Sequence, residues 1–137
     1  ANKGLVSLDQ FPYVSGILGT SPTNHCDLTL LNRESRLSNV TIGYVQSHSS
    51  IALRTAIAQQ PVVVFMDGSS PIFQNYHGGI INSPDCGNDT THAMLAVGYG
   101  QRDGIPYIKL KNSYGPNWGE DGYVLIASND QDNYCGV

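Results

Sequence analysis

Charge is scarce in this sequence. Of its 137 residues only 13% are Asp, Glu, Lys or Arg, the net charge is −4, and the 7 lysines and arginines are scattered rather than clustered. Neutralising phosphates takes a basic stripe or patch, which argues against nucleic acid and an anionic membrane surface as partners. No apolar run approaches the ~18 residues of a bilayer span. The opening ANKGLVSLDQ also lacks the charged and apolar regions of a signal peptide. The histidines and cysteines never fall into a C-x-x-C or H-x-x-x-H spacing, so neither a metal nor another cofactor is expected. No G-x-S-x-G elbow is present, which removes the serine-hydrolase reading. Gly78-Gly79 and Gly98-Tyr-Gly100 lack the strand, helix and acidic context of a nucleotide loop and read as turns. Internal repeats and low-complexity tracts are missing as well.

What is present reads as a globular α+β chain. Residues 1–19 are turn-rich, residues 16–24 form a Gly, Ser, Thr and Pro loop, and residues 26–36 show no clean period. Val40, Ile42 and Tyr44 alternate with polar or small neighbours, which predicts a short strand over 39–45. Residues 47–60 are the one clear helix candidate. Ser49 or Ser50 caps it, Ile51, Ala52, Leu53, Ala56 and Ile57 give it an apolar face, and Pro61 stops it. Residues 61–66 read as a buried strand, and Val124 to Ala127 as another.

Between them lies the stretch with chemistry in it, Thr91 to Tyr123. His92 opens a run in which Ala93, Leu95 and Val97 alternate with Met94, Ala96 and Gly98, and Asn112 closes the next run, Tyr107 to Lys111. As antiparallel neighbours, the two runs bring His92 and Asn112 to equivalent ends. There an amide oxygen can orient an imidazole that serves as a general base. His25, His48 and His77 have no comparable partner and read as surface residues. Two sequons, Asn39-Val-Thr41 and Asn88-Asp-Thr90, permit glycosylation at Asn39 and Asn88. The 3 cysteines are an odd count, open to a disulfide framework or to three buried free thiols.

The segments THAMLAVGYG and YIKLKNSYGPNWGEDGY resemble the histidine and asparagine motifs of papain-like cysteine proteases. The likeness runs from Asn2 to Val137, strongly after Pro61 and loosely before it. It implies a papain-like α+β fold. Residues 47–137 would be its second domain, an antiparallel, barrel-like sheet with one flanking helix, and residues 1–46 a partial crossover from the first domain. It also implies that His92 and Asn112 are catalytic. The family's nucleophile sits in a C-G-S-C-W type segment roughly 130 residues or more before the histidine. No such segment occurs in the 91 residues before His92. The expectation is therefore a two-chain peptidase acting on peptide or protein substrates, with the cysteine on a separate N-terminal chain. The alternative is a catalytically inactive papain-like domain used for binding or structure.

The resemblance further implies a Cys86–Cys135 disulfide and an interchain bridge from Cys26. It places Phe65, Thr90, Thr91 and Trp118 at the substrate groove, and lysosomal, vacuolar or secreted residence follows. Tyr114 stands where the family usually has an indole that shields the histidine–asparagine bond, and Thr91 where an aspartate or asparagine is common.

Overall fold

The computed structural model describes residues 5–7, 9–10, 12, 36–37, 41–129 and 134–137. Its chain divides into two compact units, residues 1–44 and 45–137. In the first, β1 (Leu5–Val6) pairs antiparallel with β2 (Arg36–Leu37). The strand expected over 39–45 is not formed at residues 41–45. Ile42 and Tyr44 alternate as a strand would, yet both are exposed. Alternation becomes a strand only where a neighbour satisfies its backbone.

In the second unit, α1 spans Ser50–Ile57 and is capped by Ser49, whose Oγ accepts the Ala52 N–H at 3.2 Å. It is shorter than the predicted 47–60 because His48, with φ of 55°, turns the chain just before the cap. Ile51 does not join the apolar face and is 61% exposed. Leu53 and Ile57, four residues apart, share the face that meets the core, and Ile51 lies across the helix from Leu53. A single helical turn, α2 (Pro71–Gln74), was not signalled by the sequence; it carries the fully buried Phe73 inward.

A five-stranded sheet organises this unit in the order β3–β5–β6–β7–β4. The strands are β3 (Val62–Met66), β4 (Ile80–Ile81), β5 (His92–Arg102), β6 (Ile105–Lys111) and β7 (Tyr123–Ala127). All pairings are antiparallel except β4 with β7, a departure from the antiparallel expectation. Asp103 and Gly104 join β5 to β6 with φ of 53° and 79°, the two positive values that a tight Asp-Gly hairpin turn requires. The register shifts between Ala96 and Gly98, a bulge at Val97. Met66, Phe73, Met94, Leu110, Val124 and Ile126 form the heart of the core, each contributing about 1.5–3 kcal/mol by leaving water.

One strand departs from its predicted burial. β3 alternates, with Val63 and Phe65 exposed at 61% and 59% while Met66 is fully buried. Its Val-rich run reads as buried on both sides, but only one side faces the core. Cys86 and Cys135, both fully buried, are joined by a disulfide across a separation of 49 residues. A loop of that length stabilises the fold by about 4 kcal/mol through the entropy it removes from the unfolded chain.

Candidate active site

The β5–β6 register sets the site. Leu95 lies opposite Lys111, so Asn112, one residue further on, emerges beside the start of β5 where His92 stands. Side chains diagonal to one another on a sheet face are within reach. His92 Nε2 and Asn112 Oδ1 are 2.9 Å apart. The Ser113 N–H donates to the same Asn112 atom at 2.8 Å. A backbone N–H needs an acceptor, so that atom is the amide oxygen, and Nε2 must be the donor. The neutral imidazole therefore carries its proton on Nε2 and keeps its lone pair on Nδ1. Asn112 is held in turn by its backbone N–H on Gly122 O at 2.9 Å.

Aromatic rings enclose this pair. The centroid of Tyr114 lies 5.3 Å from that of His92, and the buried Phe73 ring 5.7 Å away. Tyr114 is half-exposed, so one side of the pair remains close to water. Trp118 packs at 4.9 Å on Phe73 and 5.7 Å on Tyr76, and reaches His92 only through Phe73 and Tyr114. Its indole N–H donates to Gln74 O at 3.4 Å. Trp118 is thus a half-buried ring packed on Phe73, Tyr76 and Tyr114.

The other expected groove residues lie on either side of His92. Phe65 pairs with Ala93 on the exposed face of β3, and Met66 pairs with His92. A shallow depression of about 310 Å³ runs over Val63, Ala93, Leu95, Lys111 and Ser113 to Asn112. Thr90 and Asn88 are exposed in the segment leading into β5. Thr91 is exposed and held by two bonds: its N–H donates to Met66 O at 3.0 Å and its hydroxyl accepts the Gly68 N–H at 3.2 Å. Cys26, His25 and Asn39 lie outside the described residues. His48 and His77 are exposed. Among the described residues no three His, Cys, Asp or Glu side chains cluster as metal ligands.

Two residues with a place at the site escaped sequence reasoning. A Cβ added to Gly68 would lie 2.5 Å from His92 Cβ, so only glycine fits there. Asp67 is buried, and its Oδ1 accepts the Ser69 hydroxyl at 2.6 Å and the Ser69 N–H at 3.0 Å. These bonds, the hydroxyl's foremost, with further N–H groups of Asp89 and Ser70, hold its carboxyl below the usual range against the opposing effect of burial. The available signal was the Asp-Gly-Ser sequence after an apolar strand, which suits an Asx turn.

The whole chain, residues 1–137, matches the family profile described as papain family cysteine protease. The chain belongs to the papain family. It is 48% identical over 98 residues to papaya proteinase 4 of Carica papaya, covering 70% of this chain and 28% of that protein. Over 141 residues it is 37% identical to germination-specific cysteine protease 1 of Arabidopsis thaliana, covering 99% of this chain and 35% of that one. The crystal structure of the Carica candamarcensis cysteine protease CMS1MS2 superposes with a TM-score of 0.80 at 36% identity, covering 100% of this chain and 60% of that one. The chain thus spans well under two thirds of the curated relatives it matches. In this papain-family chain Cys86 and Cys135 are bonded to each other, so neither sulfur is available as a nucleophile.

Proposed function

We propose that this chain carries the base and the orienting amide of a papain-type cysteine peptidase, and that the thiol nucleophile is borne by polypeptide outside these 137 residues. The observation that carries this reading is the 2.9 Å bond from His92 Nε2 to Asn112 Oδ1, which leaves Nδ1 without a partner among the described residues. A thiol brought to Nδ1 loses its proton to the ring, and the resulting imidazolium keeps the sulfur ionised well below its free pKa of about 8.5. The thiolate adds to the substrate carbonyl. Nδ1–H then protonates the leaving amine, so the C–N bond breaks and an acyl-thioester remains. Water, deprotonated by Nδ1, attacks the thioester and releases the acid and the thiol. Asn112 is neutral, so it fixes the ring's tautomer and rotation without trapping the proton.

The exposed Phe65 beside Ala93 supports a wall for the substrate side chain two before the scissile bond, with Thr90 at its edge. Thr91 and Trp118 serve this groove through backbone placement and packing. The nucleophile comes from an N-terminal chain bridged through Cys26. Residence is lysosomal, vacuolar or secreted, with glycans at Asn39 and Asn88. The Cys86–Cys135 disulfide supports an oxidising compartment. Mass measurement under non-reducing and reducing conditions tests the two-chain form: a monomer of this chain with a free Cys26 thiol refutes it. A peptidyl epoxide tests the chemistry, because it labels the assembled protein only where thiolate and imidazolium coexist.

A second reading has one observation in its favour. Tyr114 is 50% exposed and leaves the His92–Asn112 bond less shielded, which suits a non-catalytic binding domain. An assembled protein that neither takes the label nor cleaves peptide amides decides for that reading.

A further inference from the structure

Asp67 is a buried carboxylate with no cation against it; the one ion pair among the described residues joins Arg102 and Glu120. Its charge is met by hydrogen-bond donors instead. Oδ1 takes the Ser69 hydroxyl and the Ser69 N–H, and Oδ2 takes the Asp89 N–H at 3.2 Å. Several donors converging on two oxygens require both oxygens to be acceptors. An amide supplies only one.

The location gives this arrangement its meaning. Met66 pairs with His92, and the next two residues are Asp67 and Gly68. Gly68 lies against the His92 stem so closely that a Cβ there would be 3.0 Å from His92 Cγ. Its N–H is held by Thr91 Oγ1. On the other side, Gly87 has φ of 79°, and a Cβ on it would collide with Asp67 Oδ2. The segment that leads into His92 therefore passes directly over the carboxylate. The Asp67 N–H donates to Cys135 O at 2.7 Å, which adds the disulfide to the same junction.

We propose that Asp67 is a positioning residue for His92: its carboxylate fixes the gap between Gly68 and residues 87–91, and so holds the imidazole in the orientation that hydrogen-bonds Asn112. The proposal rests on the reading of His92 as the base, and its structural half can be tested separately. Ser69 and Asp89 then act through Asp67, and Gly68 is the surface that transmits the constraint to the ring.

The test is Asp67→Asn in the intact protein, with Ser69→Ala as a second variant that keeps the carboxylate and removes one donor. Nitrogen NMR of the neutral His92 ring reads the tautomer directly. The wild type is expected to hold the proton on Nε2. Asp67→Asn is expected to populate the Nδ1–H form, and Ser69→Ala to do so to a smaller extent. In the peptidase assay Asp67→Asn is expected to lower kcat about tenfold by misplacing the base, with KM changed less than about twofold. Variants that lose thermal stability while the tautomer and kcat stay at wild-type values overturn the proposal. Should Asp67→Asn fail to fold, an unchanged tautomer in Ser69→Ala overturns it alone. Variants that shift the tautomer as expected while the assembled wild type cleaves nothing support the positioning and refute the peptidase reading.

Discussion

The two ends of β5 are built differently. At the His92 end, Asp67 and Asn112 are buried, donors converge on one carboxylate, and the Phe73 and Tyr114 rings pack on the imidazole, with Tyr114 half-exposed. At the Arg102 end, 10 positions along the same strand, the guanidinium grips Glu120 by two bonds of 3.0 and 3.4 Å, with side chains 45% and 31% exposed. Glu120 also accepts the Gly79 N–H at 2.9 Å, so this pair ties the hairpin to the loop before β4. An exposed ion pair is screened and worth under about 1 kcal/mol. Buried groups such as Asp67 and Asn112 gain far more from each fixed dipole and lose far more when one is removed. The contrast shows where this fold spends its precision. Even the cost is visible at the His92 end, where Asn112 Nδ2 is buried without a partner among the described residues.

The comparison can be broken from either end. Replacing Cys86 and Cys135 together by alanine removes the clasp that reaches Asp67 through Cys135 O; calorimetry is expected to show a loss of about 4 kcal/mol. Gly68→Ala drives a Cβ into His92, and overpacking of this kind costs about 1–3 kcal/mol. Denaturant titration measures that loss, and a peptide assay of the intact protein is expected to show an accompanying fall in kcat. A Gly68→Ala variant of wild-type stability would show that the His92 end is more yielding than described.

Acid sharpens the contrast further. The Ser69 hydroxyl and neighbouring N–H groups depress the Asp67 pKa, and Arg102 depresses that of Glu120. A depressed folded-state pKa means stability that is present above the unfolded value of about 4 and is lost as pH falls through the folded value. Both ends therefore weaken below about pH 4, but only the Arg102–Glu120 end weakens in molar salt at neutral pH, because exposed pairs are screened. Melting curves against pH and salt separate the two, and Asp67→Asn is expected to remove part of the acid response and none of the salt response. The smallest effect belongs to Glu120→Gln, which is expected to change stability by under about 1 kcal/mol and to leave the His92 tautomer untouched.

Much of the sheet was legible because alternation and turn chemistry are local. The runs at β5, β6 and β7 were expected from periodicity, and the His92–Asn112 proximity followed from placing two of them side by side. α1 was legible in its cap and its stop but not in its exposed Ile51, since a run of apolar residues hides which ones face inward. α2 was missed because a single turn offers too few residues for a period. The two-sided burial read into β3 failed for a different reason. Val63 and Phe65 have the right chemistry for a core, yet no element among the described residues covers that side.

By itself, the sequence determined the family, the pairing of His92 with Asn112, and the strand pattern that carries them, because these depend on residue type and short spacing. The tertiary structure decided which imidazole nitrogen keeps its lone pair, that Trp118 packs on Phe73 and Tyr114, and that Asp67 joins Asp89 across 22 residues. The physical reason is register. Hydrogen-bond partners far apart in the chain exist only once strands have paired, and a shift of one residue would send each side chain to the opposite face of the sheet.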